Sequence, residues 1–266
     1  MRSVLRRLVA RHAALLISTS LLLAVFQFLI CAAVASANVG GAIELLLSTL
    51  PPIMQSAVTS QLLGGLTIPG LIAFGWSHPI AHALGTAVAI VLAARAIAGE
   101  AEAGTIELVL SQPLSRRRYF GAHVLFALAA LAAQCVVGVA GTLVGQRAFG
   151  LQPFPAPALT RLAANYWALQ AAWFGVTLLL SALAREGGRA ATVGFMVALT
   201  SYLAQVIGVL WSKAAFVLRY TPHHYFSPHD ILARGAGVAR PVGVLLAVLV
   251  VATSLAWVRF RRRDLP

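Results

Sequence analysis

Apolar residues run in long blocks along this chain, and the polar residues are gathered into the short gaps between them. A helix of roughly 20 apolar residues crosses the ~30 Å hydrocarbon core of a bilayer. Six blocks meet that length or approach it: Ala13–Ala37, Pro79–Ala96, Phe120–Val144, Trp167–Ala184, Ala190–Trp211 and Val242–Val258. The pattern predicts an all-α, polytopic membrane protein of six transmembrane helices. No period of 20–50 residues suggests repeats, and residues 1–266 read as one transmembrane domain.

The gaps carry predictions of their own. Arg2, Arg6, Arg7 and Arg11 alternate with Val4, Leu5, Leu8 and Val9, the pattern of a short amphipathic helix lying at the interface before span one. Ala35-Ser36-Ala37 fits a signal-peptidase site, but the preceding apolar block exceeds the 7–15 residues of a signal core, so an uncleaved span is expected. After Pro51-Pro52, the residues Ile53, Met54, Ala57, Val58 and Leu62 fall near one helical face, opposite Gln55, Ser56, Thr59 and Ser60. This predicts an amphipathic segment flat on the outer surface. Gly64, Gly65, Pro69 and Gly70 then read as breakers ahead of span two.

Composition agrees with lipid as the main solvent. Hydrophobic residues make up 60% of the chain and charged residues 10%, with a mean hydropathy of +0.87. A soluble domain carries about 25% charged residues. The net charge of +13 would fit nucleic acid as a partner, but the arginines cluster at the ends of apolar blocks, where a bilayer protein needs them, so none is expected.

Their distribution also orients the chain. With the N-terminus inside, the cytoplasmic gaps hold Arg2, Arg6, Arg7, Arg11, Arg95, Arg116, Arg117, Arg118, Arg185, Arg189, Arg259, Arg261, Arg262 and Arg263. The outer gaps hold Arg147, Arg161, Lys213, Arg219, Arg234 and Arg240. The bias predicts both termini in the cytoplasm of a cell inner (plasma) membrane.

Seven acids are present, and three of them, Glu100, Glu102 and Glu107, fall within eight residues between spans two and three. Gly104 permits a chain reversal there, and Thr105 suits the N-cap of a short helix with Glu107 in its first turn. Ile106, Val109 and Leu110 supply that helix with an apolar face, Pro113 ends it, and Ser115 can cap the next helix. The reading is a short amphipathic helix held across a cytoplasmic turn. Its acids stand outside hydrocarbon, so neutralising them is expected to cost little folding energy.

The stretch from Arg95 to Arg116 resembles the signature of type-2 ATP-binding-cassette (ABC) permeases, approximately R-x-I-x-x-E-x-E-x-G-T-x-E-x-L-L-x-x-P-x-S-R. The matching positions are Arg95, Ile97, Glu100, Glu102, Gly104, Thr105, Glu107, Pro113, Ser115 and Arg116. Six spans, an outer amphipathic segment, the Pro222–Pro228 stretch and the Phe260–Asp264 terminus extend the resemblance over the chain. His123 departs from it, since many relatives carry lysine there. The resemblance implies a single permease domain over 1–266, an exporter that works as a homodimer docked to separate ATPase subunits.

It also implies that Glu100, Glu102, Gly104, Thr105, Ile106, Glu107, Val109, Leu110, Pro113 and Arg116 form a coupling helix and its flanks, which contact the ATPase. ATP and magnesium would then sit on the partner. The only lysine, Lys213, has no glycine-rich loop around it, so no cofactor is expected in this chain.

Other features suggest different chemistry. His78 and His82 stand four residues apart, a spacing open to a metal but better read as an interfacial polar pair without a third ligand. His223, His224 and His229 fall in one outer gap, and metal binding there is not the favoured reading either. Gly138, Gly141 and Gly145 predict close helix packing, while Gln27, Gln134 and Gln205 predict hydrogen bonds between helices or a polar path. Cys31 and Cys135 read as small core residues. An intramembrane enzyme is disfavoured by the lack of G-x-S-x-G and H-E-x-x-H motifs, and an ion-coupled transporter by the lack of acids inside spans.

Overall fold

The computed structural model describes residues 2–37, 67–105 and 115–263. Among these residues the secondary structure is helical without strands, and six helical elements are long and apolar enough to cross a membrane. The predicted outer amphipathic segment and the coupling helix lie outside the described residues.

The first helix, α1 (Arg2–Ser36), is continuous, so the basic segment is not a separate interfacial helix. No glycine or proline stands between Arg2 and Ser36 to break the backbone ladder, and a polar residue alone does not end a helix. Leu8 and His12 turn inward from its basic end and are buried.

Span two starts earlier than its breakers suggested. α2 (Ile68–Ser77) begins at Thr67, whose side chain accepts from the Gly70 N–H at 3.2 Å. Pro69 occupies the first turn, where its missing N–H costs nothing. His78 interrupts the helix in an extended conformation (ψ 142°), as Pro79 requires of its predecessor, and its Nδ1 accepts from the Ile80 N–H at 3.3 Å. α3 (Pro79–Ala94) then continues through a π-helical segment, Arg95–Gly99, and a last turn, Glu100–Glu102.

α4 (Arg116–Ala148) is capped by Ser115, which accepts from the Arg118 N–H at 3.3 Å. α5 (Ala156–Leu183) and α6 (Gly187–Leu210) follow. Two 3-10 turns, Ser212–Tyr220 and Pro222–Tyr225, lead to the short α7 (Pro228–Arg234) and to α8 (Ala239–Arg261).

α3 and α5 form the buried centre, with α1 packed on α4 to one side and α8 and α6 against α5 to the other. Lipid attracts apolar side chains as well as a protein core does, so shape and hydrogen bonds must align these helices. At Gly141 the backbones of α4 and α1 are so close that a Cβ would lie 2.3 Å from the Ala24 carbonyl oxygen. Gly138 and Gly145 meet Leu23 and Cys31 in the same seam.

Side-chain amides serve as cross-links. Gln27 Nε2 donates to the Gly75 carbonyl at 3.3 Å, Gln134 Nε2 to the Leu84 carbonyl at 3.2 Å, and Gln205 Oε1 accepts from Thr221 Oγ1 at 3.2 Å. Tyr166 adds a bond from its hydroxyl to the Ala81 carbonyl at 2.7 Å. Both cysteines are free and buried.

Candidate functional site

The helix ends near residues 2, 102, 116, 183, 187 and 261 come together at one end of the bundle, where the end of α3 is held from four sides. α1 supplies two arginines one turn apart. Arg7 Nη2 donates to Glu100 Oε2 at 3.1 Å, and Arg11 Nη1 pairs with Oε1. Glu100 itself is 3% exposed, while the Arg7 and Arg11 side chains keep 43% and 30%. The carboxylate is thus taken out of water and compensated by two cations that remain partly hydrated. Thr105 closes the loop behind it, its hydroxyl donating to the Glu100 carbonyl at 3.2 Å and also contacting the carboxylate.

Glu102 points the other way. Its Oε2 accepts from the Gly187 N–H at 2.9 Å and so caps the start of α6. The residue at the N-cap position, Glu186, makes no side-chain bond there. An acid at a helix N-terminus satisfies an orphan N–H and meets the positive end of the dipole. Gly187 has no room for a side chain, since a Cβ would lie 2.9 Å from Gly99 Cα.

α4 and α5 hold the π-helical segment directly. Tyr119 donates its hydroxyl to the Ala96 carbonyl at 2.8 Å. Ser181 accepts from the Ala98 N–H and donates to the Ala94 carbonyl, both at 2.9 Å. α8 is tied in through Arg116, whose Nη1 donates to the Arg261 and Arg263 carbonyls at 3.1 and 2.9 Å. Beyond this collar the chain turns at Gly104, with φ +63°, a left-handed conformation that glycine adopts without penalty.

The sequence model of the family described as ABC-2 family transporter protein matches residues 8–265. The chain belongs to this family. No curated protein matches it. It is therefore a membrane permease subunit of an ABC transporter.

Arg95 is exposed, Ile97 is buried in the core, and Glu100, Glu102, Gly104, Thr105 and Arg116 form or flank the collar. Ile106, Glu107, Val109, Leu110 and Pro113 lie outside the described residues. The expectation that neutralising the acids of this stretch costs little assumed an exposed position, whereas Glu100 is buried in an ion pair.

Arg7, Arg11, Tyr119, Ser181 and Gly187 were not singled out from sequence as parts of this site. Only the first two left a trace there, a four-residue spacing on the side of α1 that also carries the buried Leu8 and His12.

The far end of α3 carries a second polar group. His82 and His223 approach with ring centroids 5.1 Å apart, and Ser201 Oγ lies 3.1 Å from His223 Nδ1. Tyr202 and Phe226 complete the packing around His82. Burial lowers the His223 pKa to about 4, so its imidazole is neutral at pH 7. His78 caps α3 instead of facing His82, and among the described residues no three metal-binding side chains converge.

Proposed function

We propose that this permease couples to a separate ATP-binding-cassette ATPase through the loop that leaves the collar at Gly104, and that it exports its substrate. The observation that carries the reading is the collar itself. The end of α3 is bonded to α1 through Arg7 and Arg11, to α4 through Tyr119, to α5 through Ser181 and to α6 through Gly187. A force applied at the loop reaches four other helices within one bond. A solvated turn with no partner would have no use for such a fixture.

The ATPase dimer would bind ATP and magnesium, and its closure would push on residues 106–113, including Glu107. Two copies of the permease would present two such loops to the two ATPases, with the transport path between the copies. The fourteen arginines of the predicted cytoplasmic gaps, from Arg2 to Arg263, fall at the collar end. This supports a cytoplasmic collar, and with it cytoplasmic termini in an inner membrane.

Affinity purification of the tagged chain from native membranes tests the reading. It predicts an ATPase retained in equal number, two permeases to two ATPases. A transport-active complex with a single permease chain and no second membrane subunit would refute the architecture. A tight complex that survives Glu107→Gln with Gly104→Val, at undiminished ATP turnover, would remove the loop from the mechanism.

A further inference from the structure

Ala94 and Ala98 are four residues apart, so in an α-helix the Ala98 N–H would donate directly to the Ala94 carbonyl. Here the Ser181 hydroxyl stands between them. It accepts from Ala98 N and donates to Ala94 O, each at 2.9 Å, and Ser181 is fully buried. A side chain inserted into the i→i−4 ladder is a recognised cause of local helix distortion, and this insertion coincides with the π-helical segment Arg95–Gly99. Tyr119 occupies the next carbonyl, that of Ala96, at 2.8 Å. Single-turn π segments concentrate at functional sites in helices.

We infer that Ser181 is a positioning residue for the coupling loop: its hydroxyl holds Arg95–Gly99 in the π form and thereby sets the direction in which the chain leaves α3. Its role in coupling rests on the function proposed above, whereas its control of helix register does not. Without the hydroxyl, the Ala98 N–H and the Ala94 carbonyl are each other's nearest chemical match, and the ladder closes to α. One residue of register then changes for everything beyond, a rotation of about 100° and a rise of about 1.5 Å.

Both forms satisfy the backbone, but they differ at the acids. In the π form Glu100 reaches Arg7 and Arg11, and Glu102 reaches the Gly187 N–H. After a rotation of that size neither carboxylate keeps its partner. The collar therefore has two discrete arrangements instead of a continuous range, and the Ser181 hydroxyl selects between them.

The test uses the full chain in lipid nanodiscs with spin labels at Ala103→Cys and Gly188→Cys, both exposed positions. Cys31 and Cys135 are buried and are replaced by Ala in all samples. Ser181→Thr keeps the hydroxyl, while Ser181→Val has the same shape without it and Ser181→Ala removes it with less bulk. Rotating a side chain by 100° around a helix of 10–12 Å diameter moves it about 8 Å. The expected result is one distance distribution for wild type and Ser181→Thr, with a displacement of several ångströms for Ser181→Val and Ser181→Ala.

Superimposable distributions for all four proteins would overturn the inference, as would Thr shifting together with Val. Should Ser181→Ala fail to insert, the Thr and Val pair decides. With the co-purified ATPase, the hydroxyl-free variants should lower ATP turnover of the complex at least fivefold while the ATPase stays bound. A displaced label with unchanged turnover would overturn the positioning role in coupling. If no ATPase is retained by the wild-type chain, the proposed function fails while the distance measurement still reads the register.

Discussion

Glu100→Gln is the substitution on which the collar can be judged most directly. It leaves the shape of the side chain intact and removes a charge that is 3% exposed and paired with Arg7 and Arg11. Breaking a fully buried ion pair from one side costs 3–5 kcal/mol, because the other charge is left stranded. Neither arginine is fully buried here, since their side chains keep 43% and 30% of their exposure and can rehydrate. That discount brings the expected cost to about 2 kcal/mol. For a chain of this size such a loss lowers the melting temperature by roughly 4–8 °C.

Thermal unfolding of the purified permease, followed by tryptophan fluorescence, measures the shift. A double-mutant cycle with Arg11→Gln then isolates the pair, and the doubly substituted protein should lose less than the sum of the two single losses. A Glu100→Gln melting temperature within 1 °C of wild type, together with additive losses in the cycle, would refute the burial argument. Glu100 would then be the solvated acid that its position in the sequence suggested.

Further substitutions probe the turn, the seam and His223. Gly104 has φ +63° with open space around the position of a Cβ, so Gly104→Ala and Gly104→Val should cost about 1–2 kcal/mol through backbone strain alone. Gly104→Asn should cost less, and ATPase retention measured across the three should follow the same order. Gly141→Leu places atoms where even a Cβ lies 2.3 Å from the Ala24 carbonyl oxygen, and membrane yield should fall severalfold, while Gly121→Ala, which meets nothing, should express as wild type. His223 gives a pH dependence. Its folded pKa of about 4 lies below the ordinary 6.5, so between those values the unfolded chain binds the extra proton. Stability from this group is complete above pH 6.5 and is lost as pH falls toward 4, by up to ~3 kcal/mol. His223→Gln should make the fall of the melting temperature across that window shallower.

Much of the fold was legible in the sequence because a bilayer imposes length. Six apolar blocks became six membrane-length helical elements in the predicted order, and Ser115 caps α4 as its position before the basic run suggested. The start of span two was misread because Pro69 and Gly70 look like breakers, although proline in the first turn of a helix is favourable. The continuity of α1 was missed for a related reason. Charge suggested a boundary, but nothing in its backbone enforces one.

Spacing drew attention to Glu100, Glu102 and Gly104, which the fold places at the collar, whereas Ser181 and Tyr119 left no local signal. One serine among Leu178–Leu183 has no periodicity to betray it, and its significance comes entirely from facing Ala94 and Ala98 on another helix.

The location of the π-helical segment also limits what can move. From Pro79 to Ala94, α3 is bound along its length by Tyr166 at Ala81, by Gln134 at Leu84 and by Thr86 to Gln170 at 3.1 Å. Bonds of this kind in hydrocarbon have no water to replace them, so this part of α3 is a poor place for a hinge. From Arg95 onward the ties change in character. They become one serine hydroxyl, one tyrosine hydroxyl and two carboxylates, the carboxylates meeting partly hydrated or backbone partners. Of these, the Arg7 and Arg11 side chains keep part of their exposure and can rehydrate when the pair opens, which no bond along Pro79–Ala94 can do. On the coupling proposed above, a push on the loop would act first at Arg95–Glu102. It reaches the membrane-buried helices as displacement of their ends through Arg7, Arg11, Tyr119, Ser181 and Gly187, with the centre of α3 left intact. On that reading the collar would reset after each cycle with the bonds along Pro79–Ala94 left in place.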